Sequence, residues 1–157
     1  MKEIKIVDFL PSNCISLNLK STSKIEVLEE LVTLISNSDN IKDQEECFDA
    51  LVCRETLGST GIGKGIAIPH AKTNGAKDLT LGLGISREGI EFDSMDLNKV
   101  NIFFIFASPF NKGDLYLNLL SRISRLVRNE SIKVKFLDAE TAEEIIEILK
   151  EEDKNLF

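Results

Sequence analysis

The densest run of unusual residues in the chain is 54–72, RETLGSTGIGKGIAIPHAK. Gly58, Gly61, Gly63 and Gly65 precede a short apolar run that ends in Pro69 and His70. Glycines at this density let other groups approach the backbone closely and leave N–H groups free to face an anion. Two chemistries compete for the segment. The first is a nucleotide-binding phosphate loop, since Gly58-x-x-x-x-Gly63-Lys64 follows that pattern up to its last position. There a Ser or Thr is needed to hold Mg²⁺, and the chain has Gly65. The residues before the glycines look helical and those after them extended, the reverse of the strand–loop–helix context that such a loop needs.

The second chemistry belongs to His70, the only histidine. An imidazole of pKa ~6.5 is mostly neutral near pH 7, so one ring nitrogen has a free lone pair that can attack a phosphoryl group and hold it covalently. Phosphoryl transfer then needs positioning and positive charge more than further covalent help. Arg54 has a planar fork suited to phosphate oxygens, and the hydroxyls of Ser59 and Thr60 with the backbone at Gly61 and Gly63 are candidate neutral donors. Lys64 and Lys72 flank the segment and could steer an anionic partner, although a solvated surface lysine is the commoner fate. On residue type alone a lone histidine after a proline is better read as a surface turn residue, and the segment as a loop. Glu55 reads as an ion-pair partner or a helix end.

The surrounding elements follow from periodicity. Residues 2–9 alternate weakly, as in a first strand. Ser23 with Glu26 forms a capping box ahead of Val27, Leu28, Leu31, Leu34 and Ile35. Asp43 with Glu46 repeats the signal for a second helix that ends near 56–58. Leu79, Leu81, Leu83 and Ile85 alternate with Thr80, Gly82, Gly84 and Ser86, as in a half-buried strand. The apolar VNIFFIFA of residues 100–107 predicts a central strand covered on both faces. Tyr116, Leu119, Leu120, Ile123, Leu126 and Val127 follow at helical spacing, with Asp114 placed as an N-cap. Thr141 with Glu144 caps a last helix carrying Ile145, Ile148 and Leu149. Interleaved helices and strands make the class α/β, a mixed β-sheet flanked by helices on both faces, with a single domain over 1–157.

Composition narrows the function classes. The 157 residues suffice for one domain that buries roughly 68–70% of its unfolded surface. A net charge of −7, with acidic residues spread along the chain, argues against a general nucleic-acid surface. No run is long and apolar enough for a membrane-spanning helix, and MKEIKIVDFL lacks a signal-peptide pattern, so a cytoplasmic protein is expected. Cys14, Cys47 and Cys53 are odd in number and include no Cys-x-x-Cys, as for free thiols in a reducing compartment. One histidine and scattered cysteines predict no metal site.

The ordered string Arg54-Glu55, Ser59-Thr60-Gly61-Ile62-Gly63, Gly65-Ile66-Ala67-Ile68-Pro69-His70-Ala71 closely resembles the active-site signature of the fructose/mannitol-type enzyme IIA family of bacterial sugar phosphotransferase systems. The likeness extends through GIEFDSMDLNKVNIFFIFASP, the Leu-rich helix of residues 115–127 and the acidic C-terminal helix. It implies that His70 accepts a phosphoryl group from the histidine-containing phosphocarrier protein and passes it to a cysteine of enzyme IIB, with the sugar bound by a membrane component, enzyme IIC. It also implies that Arg54 steadies the phosphate and that no cofactor, metal or nucleotide takes part. In one place the chain departs from the pattern. Members of the family usually carry a second active-site histidine, followed by Leu one, three and four residues on, and here that spacing falls on Tyr116 before Leu117, Leu119 and Leu120. A phenol can donate a hydrogen bond but cannot become cationic. Tyr116 is therefore either a site residue beside His70 or a core aromatic. Either transfer is slowed, or Arg54, Lys64 or Lys72 supplies the missing charge, or the domain is a regulatory module that signals through protein binding.

Overall fold

The computed structural model describes residues 4–156. Six strands form one open mixed sheet in the order β1-β5-β6-β3-β2, and β4 pairs with β6 beyond β3. In chain order these are β1 Ile15–Ser16, α1 Lys24–Ile35, α2 Gln44–Thr56, β2 Gly61–Gly63, β3 Ile66–Ala67, β4 His70–Lys72, β5 Thr80–Ile90, β6 Val100–Ser108, α3 Gly113–Leu126, α4 Ser131–Asp138 and α5 Ala142–Lys154. β5 and β6 are antiparallel, whereas β3 and β4 both run parallel to β6. This is the expected α/β class.

Three helices begin where local chemistry placed them. The Ser23 side chain accepts from Glu26 N–H, and its hydroxyl donates to the Glu26 carboxylate at 2.8 Å. Asp43 accepts from Glu46 N–H at 3.0 Å, and Thr141 from Glu144 N–H at 3.1 Å. Each cap satisfies an N–H that the first helical turn leaves without a partner. α3 starts differently. A 3-10 turn over Phe110–Lys112 runs straight into it, Lys112 takes the cap position without a side-chain bond, and Asp114 lies inside the first turn instead of capping it.

The core forms two layers on the two faces of β6. Ile102, Phe104 and Phe106 point into a cluster with α3, α4 and α5, while Phe103, Ile105 and Ala107 point into one with α1 and α2. β5 is more buried than its alternation suggested, with Thr80 to Ser86 all buried. Its glycine face is also covered. A Cβ on Gly82 would stand 2.6 Å from Ile35 Cγ2, and one on Gly84 would stand 2.8 Å from Leu19 Cδ1. These positions therefore read as polar in the sequence but are the seats of apolar side chains.

The strand expected over residues 2–9 is absent where the structure describes it. Ile6–Phe9 form a 3-10 turn, and positions 2–3 lie outside the described residues. Ile6 N–H finds no strand and donates instead to Asp153 Oδ2 at 2.8 Å. Asp153 Oδ1 also accepts from Arg122 Nε at 3.1 Å, and both of these side chains are about 5–6% exposed. One buried carboxylate thus joins the N-terminal turn, α3 and α5. Removing one partner of a buried pair strands the other's charge in a low dielectric. Asp153→Asn is expected to lower unfolding free energy by about 3 kcal/mol in urea titration, with the slope unchanged.

Candidate functional site

β4 is three residues long, HAK, and its backbone is held against the end of β6: His70 pairs with Phe106, Ala71 with Ala107 and Lys72 with Ser108. Between β3 and β4 the ladder is bridged by Pro69, whose carbonyl accepts from Phe106 N–H at 3.0 Å. His70 is therefore a strand residue, largely buried at 9% exposed, and not the surface turn residue that its type alone suggested.

Its ring lies on the α3 side of the sheet. It stacks on Phe106, with centroids 5.4 Å apart and planes at 17°, and meets the Tyr116 ring at 5.7 Å. Phe106 and Tyr116 touch edge to face at 5.2 Å, so three aromatic groups close round one another. His70 Nδ1 is 2.5 Å from the Ile68 carbonyl oxygen. A carbonyl oxygen only accepts, so Nδ1 carries the hydrogen and Nε2 keeps the lone pair. Burial lowers the imidazole pKa from its ordinary 6.5. The bond to Ile68 opposes that shift, the Arg54 charge adds to it, and Glu55 opposes it. The ring is consequently neutral at pH 7 with its lone pair on Nε2.

Arg54 stands at the C-terminal end of α2, where Nη1 donates to Gly58 carbonyl oxygen at 2.9 Å, the side chain's one hydrogen bond among the described residues. Its charge is felt at both His70 and Tyr116. Burial pushes the Tyr116 phenol up to about 12, with Arg54 working against it, so the hydroxyl stays protonated. The structure thus puts the His70 and Tyr116 rings in contact, with the Arg54 charge within electrostatic reach of both. Tyr116 is at once a core aromatic, 8% exposed, and a neighbour of the imidazole.

The other expected site residues divide. Ser59 and Thr60 do not offer free hydroxyls. Ser59 Oγ donates to Phe92 carbonyl oxygen at 2.8 Å, while Thr60 Oγ1 donates to the Glu55 carboxylate, which also accepts from Thr60 N–H at 3.1 Å. Glu55 makes the expected ion pair, with Lys24 Nζ at 3.1 Å. This buried knot locks the chain between α2 and β2, and so sets where Arg54 stands. Gly61 and Gly63 are packing and turn positions. A Cβ on Gly61 would meet Ser94 at 3.0 Å, and Gly63, at φ +96°, donates its N–H to Ser94 Oγ at 3.2 Å.

Lys64 is separated from His70. Gly65 carbonyl oxygen receives Ile102 N–H, whereas His70 pairs four residues further along β6, roughly 13 Å at about 3.3 Å per residue. Lys64 Nζ is instead paired with Glu130 at 2.9 Å. A helix precedes the glycine segment and a strand pair follows it, so the order is not that of a phosphate loop. Lys72 falls on the His70 side of β4, with Nζ 5.2 Å from the Tyr116 ring centroid. The Ile68 carbonyl and Phe106 went unread in the sequence, because only register brings them to the imidazole.

A small α/β domain with an open mixed sheet, holding a single neutral histidine beside an arginine, defines a class built round one imidazole. A profile of the family "Phosphoenolpyruvate-dependent sugar phosphotransferase system, EIIA 2" matches residues 8–152, and the chain belongs to that family. It is 35% identical over 141 residues to the PTS system fructose-specific EIIA component of Haloferax volcanii, covering 90% of this chain and 92% of that one. It is also 35% identical over 151 residues to the PTS system fructose-specific EIIABC component of Bacillus subtilis, where 96% of this chain spans 24% of the relative. The crystal structure of the nitrogen regulatory protein IIA-Ntr from Neisseria meningitidis superposes with a TM-score of 0.85 at 33% identity, covering 92% of this chain and 98% of that one. Among the described residues no helix is long and apolar enough to cross a membrane.

With one histidine, the imidazole titration can be read directly by NMR. His70 is expected to titrate below 6.5, and Arg54→Met to raise its pKa by removing a nearby positive charge. Unfolded chain binds this proton more readily than folded chain, so stability falls as pH drops from about 6.5 towards the lower folded value. His70→Gln is expected to remove that part of the acid-side loss. An imidazole titrating above 6.5 would contradict the buried, neutral ring.

Proposed function

We propose that this chain is a phosphoryl carrier of a sugar phosphotransferase system, with residues 1–157 acting as one IIA unit. The observation that carries the reading is the Nδ1–H bond to the Ile68 carbonyl, which leaves the lone pair on Nε2 of a neutral ring beside Arg54. Nε2 attacks the phosphorus of the phosphohistidine on the histidine-containing phosphocarrier protein. The Nε2–P bond forms as the donor's N–P bond breaks, and that electron pair stays on the donor ring nitrogen. In the second half a cysteine thiolate of enzyme IIB forms an S–P bond, the Nε2–P bond breaks, and its pair returns to Nε2. The proton stays on Nδ1, hydrogen-bonded to the Ile68 carbonyl throughout, so His70 needs no separate base. Arg54 meets the charge on the transferring group with oriented donors, which matters most where burial lowers the dielectric. The sugar is then handled by the membrane component, enzyme IIC.

The second reading is a regulatory IIA module that reports phosphorylation state by binding proteins. Its support is the likeness to the nitrogen regulatory protein of Neisseria meningitidis, together with Tyr116 at the place of a second histidine. Both readings use a phosphorylated His70. They differ in whether a IIB thiol receives the group.

The test is transfer of labelled phosphate from phosphoenolpyruvate, through enzyme I and the phosphocarrier, onto native chain and onto His70→Gln. Acid-labile, alkali-stable label on the native chain alone is expected. Label on both would move the acceptor away from His70. Onward transfer to a IIB cysteine favours the transport reading, and stable label without it favours the regulatory one. Arg54→Lys is expected to slow acceptance several-fold in stopped reactions, because an ammonium lacks the planar fork.

A further inference from the structure

We propose that Lys72 is a second phosphate-contacting cation of this site and that Tyr116 is the positioning residue that holds it. The inference rests on the reading of His70 as the phosphoryl acceptor.

Strand alternation places the side chains of residues 70 and 72 on the same face of β4, with Ala71 packed in the opposite cluster. On that face the Tyr116 ring neighbours both. Its centroid is 5.7 Å from the His70 ring and 5.2 Å from Lys72 Nζ. The ring quadrupole attracts the ammonium and fixes it beside the imidazole. Nζ also lies against the start of α3, 3.8 Å from where a Cβ on Gly113 would stand.

Two other lysines near this segment are committed elsewhere. Lys24 is paired with Glu55 and Lys64 with Glu130. Among the described residues Lys72 has no carboxylate within ion-pair distance. Its ammonium is parked on an aromatic face next to a nucleophile, and it is exposed enough to swing on a four-carbon stem. A dianionic group arriving on Nε2 would draw it from the ring to a phosphoryl oxygen. Tyr116 cannot become a cation, but it can hold one in waiting. The positive charge that an imidazolium would bring on α3 then comes from β4, two residues beyond the acceptor.

The experiment uses full-length chain phosphorylated chemically with phosphoramidate, so that no partner is needed, and also by the phosphocarrier in single-turnover reactions. Phosphorus NMR titration reads the second ionisation of the phosphoryl group. Lys72→Met is expected to raise that pKa, because a nearby cation favours the dianion, and to slow acceptance about tenfold, equivalent to one strong charged hydrogen bond. Lys72→Arg is expected to recover most of both effects. Tyr116→Leu is expected to show the same shift as Lys72→Met, with the double variant no worse than either single one, which is the signature of two residues acting as a unit. Circular dichroism melts confirm that the variants compared are folded. If Lys72→Met slows acceptance from the carrier but leaves the phosphorus titration unchanged, Lys72 meets the partner protein and the proposal is wrong. An unchanged rate and titration in a labelled protein also overturn it. A native chain that takes no label from either donor overturns the carrier reading and this inference together.

Discussion

Every residue of β6 from position 102 to 108 is buried, and a strand in that position must satisfy its backbone through the segments paired beside it. Most of the molecule can be derived from that requirement. β5 takes one edge of β6, while β3 and β4 divide the other. Because β4 is registered against Phe106 to Ser108, His70 is delivered to a defined point of the sheet, with its ring stacked on Phe106. The same alternation sends Phe104 and Phe106 towards α3 and Phe103 and Ile105 towards α1 and α2, so the site and the core rest on one strand.

Burial and electrostatics act together at His70. Removing the ring from water disfavours its charged form, and the Arg54 charge does the same, while the Ile68 carbonyl selects which nitrogen keeps its hydrogen. The result is a neutral ring with one specified lone pair, obtained without a second titrating partner. Arg54 is placed indirectly: Glu55, one residue on, binds Lys24 and the backbone and hydroxyl of Thr60, which stiffens the exit from α2. Ser59, Thr60, Gly61 and Gly63 thus serve the site as scaffold, by holding the chain between α2 and β3 in place, while the two hydroxyls and the N–H groups of Thr60, Gly61 and Gly63 are occupied within the protein.

The parts of the fold that could be read from sequence are those with local causes. Ser23 with Glu26, Asp43 with Glu46 and Thr141 with Glu144 are a few residues apart, so the caps that start α1, α2 and α5 are visible as spacing. The continuous apolar run of β6 likewise announces burial on two faces. The failures have non-local causes. Gly82 and Gly84 pass for a solvent face until Ile35, Leu19 and Leu31 are seen against them. Residues 6–9 alternate like a strand, but the carboxylate that captures Ile6 N–H comes from Asp153, 147 positions away. α4, over Ser131–Asp138, had no cap signal and no long apolar stripe; it is held by Ile132 and Phe136 entering the core.

The sequence by itself determined the class of fold, the family and a single histidine able to carry a covalent group, because a dense, ordered motif and helical or alternating periodicity survive without coordinates. Only the tertiary structure decided which of the nearby polar residues share that histidine's space. Lys64 and Lys72 both lie within six residues of His70 in sequence, yet β-sheet register sends Lys64 to the far end of β6 and pleat alternation leaves Lys72 on the face of His70. The choice of Nε2 over Nδ1 belongs to the same category, since it depends on where the Ile68 carbonyl points. Register and carbonyl direction are set by pairing between strands distant in sequence, which residue spacing along one strand does not encode.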